Sequence, residues 1–300
     1  MRRVAYHRLP TEQHNPRSRN LDRLSPLALV ALMNSEDRRV LEAVRRARRQ
    51  VARAVELIVG ALRAGGRLFF VGAGTSGRLG VLEAAECPPT FGTRPSLIQA
   101  IVAGGRSAVF RSQEGSEDRE SEARQAVRRK VRSGDVVVGI AASGVTPFVR
   151  AALTEARRRR ARTILVTVNP RNRRGAGVDR MIHLDVGPEV LAGSTRLKAG
   201  SATKMILNML TTASMAQLGK LYGNRMVDLR PTSRKLRARA VRLVRELGGA
   251  SEARAHRLLT AAQGQVKLAI LMAREKLDAR QASRRLSAAD GSLRCALEGS

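Results

Sequence analysis

The stretch Arg67-Leu-Phe-Phe-Val-Gly-Ala-Gly-Thr-Ser-Gly-Arg-Leu-Gly-Val-Leu-Glu-Ala-Ala-Glu-Cys-Pro-Pro-Thr90 constrains the fold of this chain more than any other. Its apolar run, Leu68 to Val71, is short and bounded by glycines, which predicts a strand buried on both faces of a parallel sheet. Gly72, Gly74, Thr75, Ser76 and Gly77 then form a turn of small residues, where backbone can approach a ligand closely. Ser76 or Thr75 is placed to cap the helix beyond, whose apolar face reads as Leu79, Leu82 and Ala85. That helix is expected to end in a carboxylate, Glu86, stopped by Cys87-Pro88-Pro89. A strand that feeds hydroxyls and free N–H groups at a helix start makes an anion site, because the helix dipole adds to the donors. The turn also fits G-x-G-x-x-G as Gly72, Gly74 and Gly77. Two hydroxyls within it, and an acid fixed at the helix end, argue against a nicotinamide cofactor.

The same unit recurs downstream. Ser96 to Val102 is a second apolar run, closed by Gly104-Gly105 and followed by a helical region that includes Glu114-Gly-Ser-Glu117-Asp118 and a charged helix to about Arg132. Asp135 to Ala142 is the third strand, and it runs into Ser143-Gly144-Val145-Thr146-Pro147, a second hydroxyl-rich turn with Pro147 suited to the first helical position. Thr163 to Val168 and Met181 to Val186 read as strands four and five. Strands alternating with helices predict an α/β fold, a doubly wound parallel sheet whose ligands sit at the carboxyl ends of strands. Both hydroxyl turns lie at such ends.

The flanks are less regular. Residues 1 to 25 are polar, with little to bury, and alone read as a disordered tail. A short apolar helix is expected from Pro26 to about Asn34. Ser35 would then cap a second helix, about Glu36 to Ala64, with Val40, Val44, Ala47, Val51, Val55, Ile58 and Leu62 on one stripe. The connection Gly187 to Gly200 carries Glu189, Ser194, Thr195, Arg196 and Lys198. The helix after it, about Ser201 to Leu218, is apolar nearly all round, which predicts burial in the core or at a subunit contact. A loop follows over Tyr222 to Leu236, and then a basic helix to Leu247. Gly248-Gly249 marks an expected boundary before three short helical patterns. The expected division is an N-terminal arm and helices over 1–50, an α/β domain over 51–248 and a small helical domain over 249–300.

Composition narrows the class. An apolar fraction of 43% in 300 residues is enough for a sizeable core. The formal net charge of +31 raises the question of nucleic acid. Against that reading, aromatics are 2% of residues and Trp is absent, so no stacking platform exists for single strands. The arginines (Arg45, Arg46, Arg48, Arg49; Arg157 to Arg160) are scattered over helix faces, and no helix-turn-helix or zinc-finger spacing occurs. Cys87 and Cys295 are far apart and give neither a metal spacing nor a disulfide framework; Cys87 reads as a packed loop cysteine. The basic N-terminus has no apolar segment behind it and no run reaches transmembrane length, so a soluble cytoplasmic protein is expected.

The chemistry-bearing groups near presumed strand ends are the two hydroxyl turns, Glu86, and Glu117 with Asp118. Hydroxyls with backbone N–H groups suit a phosphate, and paired carboxylates suit proton removal and delivery. The plainer reading makes Glu86 and Glu117 helix-terminal surface acids. By residues alone the chain is an α/β protein that binds a phosphorylated small molecule.

The motif set goes further. Thr11-Glu12, Asn15, Ser18 and Leu21-Asp22 lead it, followed by Gly72-Ala-Gly-Thr-Ser-Gly-Arg-Leu-Gly80, Glu86-Cys-Pro-Pro-Thr90 and Glu114-Gly-Ser-Glu-Asp118. Beyond these come Gly139-Ile-Ala-Ala-Ser-Gly144, Gly187-Pro-Glu-Val190, Lys198-Ala-Gly200 and Tyr222-Gly-Asn-Arg-Met-Val-Asp228. In these, over essentially its whole length, the chain resembles the N-acetylmuramic acid 6-phosphate etherases of the sugar-isomerase domain superfamily. Val145 stands where that family often has arginine, Ser116 where alanine is usual, and Ser233 where asparagine is usual.

The resemblance implies a flavodoxin-like three-layer sandwich, a homodimer with sites near its interface, and no metal or cofactor. The implied reaction is cleavage of the D-lactyl ether at C3 of the phosphorylated amino sugar. Glu86 maps to the family's acid and Glu117 to its second catalytic carboxylate. Thr75, Ser76, Ser143 and Thr146 are the phosphate candidates, followed by Lys198 or Arg196, with Gly144, Glu189 and Ser194 as further substrate contacts; Glu114 and Asp118 position the loop. Two other readings stay open: a non-catalytic sugar-phosphate sensor, which has no need of both carboxylates, and an aldose–ketose isomerase.

Overall fold

The computed structural model describes residues 7, 9–169 and 177–299. Residues 1–6, part of the basic N-terminus without a secretory apolar segment behind it, lie outside them. The chain divides into two compact units, residues 1–85 with 96–211, and residues 86–95 with 212–300.

The first unit is built on five parallel strands, β1 (Leu68–Gly72), β2 (Ile98–Val102), β3 (Val136–Ile140), β4 (Arg162–Thr167) and β5 (Arg180–His183), in the order β2-β1-β3-β4-β5. β1 and β3 are buried along their whole length, as uninterrupted apolar runs require when helices cover both faces. On one face, Phe69, Val71, Val137 and Leu165 pack with Ala123 and Val127 of α4 (Glu120–Lys130) and with Phe148, Val149 and Ala152 of α5 (Pro147–Arg158). On the other face lies α2 (Gly74–Phe91): a Cβ on its Gly80 would stand 2.8 Å from Phe70 Cβ. The order reverses between β1 and β3, so the carboxyl ends of these two neighbours form the topological switch point of the sheet.

Several expectations are corrected here. The break at Ser35 does not occur: α1 runs from Pro26 to Arg63 without interruption. Nothing between Asn34 and Glu36 breaks a helix, and the Ser35 hydroxyl accepts from Arg17 instead of capping. The N-terminal segment is not a tail. It forms 3-10 turns at Pro10–Glu12, Pro16–Ser18 and Leu21–Arg23, with Thr11 and Asn15 buried.

α2 turns its small residues inward. Gly77, Gly80, Glu83 and Cys87 are buried, while Leu82 is 44% exposed and Ala85 is exposed. It also continues through Pro88 and Pro89 to Phe91, so Glu86 sits within the helix and not at its end; Gly92, at φ +64°, closes it by donating to the Pro88 carbonyl. α6 (Lys198–Gln217), read as apolar nearly all round, buries one side only, with Met209 39% exposed and Ser201, Asn208 and Thr212 open. Between β2 and α4 stand the short α3 (Ser107–Phe110) and a 3-10 turn, Ser116–Asp118.

The second unit is helical. Where three patterns were expected after Gly249, four helices form: α8 (Glu252–Ala261), α9 (Val266–Glu275), α10 (Ala279–Ala288) and α11 (Leu293–Glu298). They share one apolar core with α7 (Arg234–Gly248) and with Val227 and Leu229 of the preceding loop.

Candidate active site

Two strand ends of the first unit bring hydroxyl turns to one cleft. β1 ends at Gly72 and the chain turns into α2, which places Ser76 in the first helical turn. A Cβ on Gly72 would stand 2.7 Å from the Gly77 nitrogen, so only glycine allows this strand-to-helix turn to close so tightly. β3 ends at Ile140 and leads through Ser143 and Thr146 into α5, with Pro147 at its first position. That second turn is braced: Val145 N–H donates to Ser143 Oγ, and Asn169 Nδ2 to the Ser143 carbonyl at 2.8 Å. The two turns therefore bring hydroxyls and two helix N-termini to adjacent strand ends.

The cleft, about 250 Å³, is lined there by Ala73, Ser76, Ile140, Ala142, Ser143, Val145, Thr146 and Pro147. Glu117 and Asp118 come from the 3-10 turn, Leu9, Thr11 and Glu12 from the N-terminal arm, and Gly193 and Thr195 from the loop before α6. No lysine or arginine lines it among the described residues.

Glu117 lines this cleft. Partial desolvation by the cleft wall raises its pKa, and the charges of Asp118 and Glu114 raise it further. A carboxyl so placed exchanges a proton closer to neutrality than a free glutamate does. Gly115, at φ +72°, sets the turn, and Ser116 Oγ donates to the Gln113 carbonyl at 2.7 Å to hold it.

The expected site residues fall into three groups. Ser76, Ser143, Thr146 and Glu117 line one cleft; Thr75 and Gly144 lie in the same turns, and Ser194 in the loop before α6, without lining it. Glu189 and Lys198 are buried and make hydrogen bonds within the chain. Glu189 accepts from the N–H groups of Lys198 and Ala199, capping α6, and burial raises its pKa despite those two donors. Lys198 Nζ meets Glu36 Oε2 at 2.6 Å, with side-chain exposures of 1% and 0%. Glu36 also accepts from Asn15 Nδ2 at 2.7 Å and from Arg17 Nη1 at 2.8 Å. Glu86 belongs to the second unit, is exposed on α2, and does not line the cleft.

Sequence reasoning missed the arm. Leu9, Thr11 and Glu12 form a wall because Thr11 O accepts from Gly193 N–H at 2.9 Å and because Asn15 and Arg17 are tied to Glu36. The signal that could have found them is the Thr11-Glu12 motif itself.

A parallel sheet of order 2-1-3-4-5 makes this a doubly wound α/β domain, with two hydroxyl turns at its switch point. The family model for the N-terminal SIS domain of the glucokinase regulatory protein matches residues 50–157, and that of the SIS domain matches residues 116–213. Among solved structures, a phosphoheptose isomerase from Neisseria gonorrhoeae is similar at 20% identity and a TM-score of 0.48, covering 62% of this chain and 97% of that one.

Full-length relatives are far nearer. An N-acetylmuramic acid 6-phosphate etherase of Rippkaea orientalis is 52% identical over 97% of this chain and 95% of its own. That of Trichormus variabilis is 53% identical over 95% of this chain and 94% of its own. The chain belongs to the N-acetylmuramic acid 6-phosphate etherase family.

Proposed function

We propose that this protein cleaves the D-lactyl ether of N-acetylmuramic acid 6-phosphate, giving N-acetylglucosamine 6-phosphate and D-lactate, as a carbon–oxygen lyase of cytoplasmic cell-wall sugar recycling. The name shared by relatives over nearly the whole chain supports the substrate. The observation that carries the chemistry is Glu117, a carboxyl of raised pKa opening onto the cleft that holds both hydroxyl turns.

In this reading Ser76, Ser143 and Thr146, with the N-termini of α2 and α5, take the phosphate. Ring opening exposes an aldehyde at C1 and so acidifies the C2 proton. One carboxylate removes that proton. The electron pair left at C2 forms the C2–C3 double bond, and lactate leaves from C3 as an acid protonates the ether oxygen. Water then adds back across the double bond, restoring the C2 proton and a C3 hydroxyl. Glu117 and Glu86 share the two proton-transfer roles.

Glu86 needs cover to act as an acid, since it is exposed in the single chain. A homodimer supplies that cover. Leu82 on α2 and Met209 on α6 leave apolar surface open, as a subunit face would.

The test is lactate release from N-acetylmuramic acid 6-phosphate by purified protein. Glu117→Gln and Glu86→Gln should each slow it by about 10²–10⁴-fold, the usual worth of a general acid or base. Undiminished activity in both variants would remove the mechanism. Sugar-phosphate binding with no lactate release by the parent protein would favour the sensor reading.

A further inference from the structure

The second unit holds a cavity of about 720 Å³ for which the ether cleavage has no use. Its walls come from Lys220 and the 228–232 segment, from the turn leading into α9, and from Asp290 and Gly291. Three cations reach it, Lys220, Arg230 and Lys267, against two acids, Asp228 and Asp290.

The two lysines share a single carboxylate oxygen. Lys220 Nζ donates to Asp228 Oδ2 at 2.6 Å and Lys267 Nζ donates to the same atom at 2.9 Å. Lys267 is buried, its side chain 6% exposed, and its only other acceptor among the described residues is the Gly291 carbonyl at 2.7 Å. An ammonium carries three protons. Two are placed, and the third has no protein acceptor among the described residues. Burial pushes the Lys267 pKa down, and the nearby Lys220 charge pushes the same way, so Asp228 only partly compensates it. A second anion at this point would relieve both groups.

The helix adds to the demand. α9 starts at this wall with Gln265 as its N-cap and no side-chain hydrogen bond to close it, which leaves first-turn N–H groups and the positive dipole end there.

We propose that this cavity is a second, non-catalytic site for a small phosphate monoester. Its phosphate oxygens would be held by Lys220, Lys267 and the first turn of α9, and its polar body by Thr232, Gln263 and Gln265. A tetrahedral phosphate has oxygens enough to serve two ammonium groups and helix amides at once; a carboxylate has two. The volume exceeds what a bare ion needs, and the amide and hydroxyl lining suits the hydroxyls of a polyol.

The test is lysine footprinting of the full chain: acylation at each lysine is read by mass spectrometry with inorganic phosphate or propionate, at fixed ionic strength. Phosphate should slow acylation of Lys220 saturably, about tenfold at ten times its dissociation constant. The exposed Lys130, on α4 of the first unit, should be unaffected. Lys267→Met should abolish the protection. Should that variant fail to fold, Arg230→Gln at an exposed position should shift the protection to higher phosphate. The proposal is overturned if phosphate gives no saturable protection of Lys220, if propionate alone protects, or if protection persists unchanged in every variant that folds. None of these results bears on lactate release, so the etherase reading stands or falls separately.

Discussion

Lys198→Met separates a structural lysine from a substrate-binding one. In the folded chain its ammonium lies 2.6 Å from Glu36, and neither side chain sees solvent to any useful extent. Removing one partner of a buried ion pair costs about 3–5 kcal/mol, because the other charge is left uncompensated. Here Glu36 keeps the hydrogen bonds from Asn15 and Arg17, and methionine preserves most of the packing volume, so the loss belongs at the lower end. About 3 kcal/mol corresponds to a fall in Tm of about 6–12 °C for a unit of this size. Differential scanning calorimetry reads it directly.

The pH dependence carries a sign. Burial raises the pKa of Glu36, but the hydrogen bonds from Lys198 and Asn15 outweigh it, and the net pKa falls below the free glutamate value of 4.5. A depressed carboxyl contributes stability that is complete above its unfolded pKa and is lost as pH falls through the folded one. The gap between parent and Lys198→Met should therefore be full at neutral pH and shrink below pH 4.5. Adding Glu36→Gln should restore part of the loss, since the double variant buries no unpaired carboxylate. An unshifted Tm, together with a raised KM for the sugar phosphate, would refute this reasoning and return Lys198 to the substrate.

Three further outcomes follow from the packing and the cleft. Gly80→Val places side-chain atoms where Phe70 Cβ already stands within 2.8 Å of a Cβ position, and it should cost about 1–3 kcal/mol by overpacking, read by thermal melting. Leu82→Glu puts a charge on the open apolar face of α2; if the proposed homodimer forms through that face, light scattering on a size-exclusion column should show a dimer for the parent and a folded monomer for the variant. Asp118→Asn removes one like charge beside Glu117; the acid limb of the pH–rate profile, set by Glu117 losing its proton to become a base, should move to lower pH.

The strands were legible because parallel strands buried on both faces leave a run such as Leu68 to Val71 that nothing else explains. The hydroxyl turns were legible for the same reason, being local in sequence. What escaped depends on contacts made across the chain. Residues 10–23 hold almost nothing apolar, yet they are ordered by Asn15 and Arg17 reaching a glutamate on α1, and no local signature marks such a polar anchor. The inward face of α2 escaped because large apolar residues ordinarily mark burial, whereas helix and sheet approach here through Gly77 and Gly80 and leave Leu82 outside. Lys198 carries a substrate-like charge in a substrate-like loop, and only the 162 residues separating it from Glu36 concealed its partner.

The distribution of charge in the cleft sets where a phosphorylated sugar can lie. Glu12, Glu117 and Asp118 share one wall system of about 250 Å³ in which no described lysine or arginine takes part. Two like charges 4 Å apart repel by about 4 kcal/mol at the effective dielectric of a protein surface. In the proposed reading a phosphate dianion sits away from these acids, against Ser76, Ser143, Thr146 and the N-termini of α2 and α5. On that reading the sugar ring lies between the hydroxyl turns and Glu117. Binding of so negative a ligand also favours the protonated form of Glu117 beyond what Asp118 and Glu114 already do. Sugar-phosphate binding should accordingly take up protons just above the pH at which the free site titrates, a quantity that calorimetry in buffers of different ionisation enthalpy measures, and Glu117→Gln should abolish the uptake.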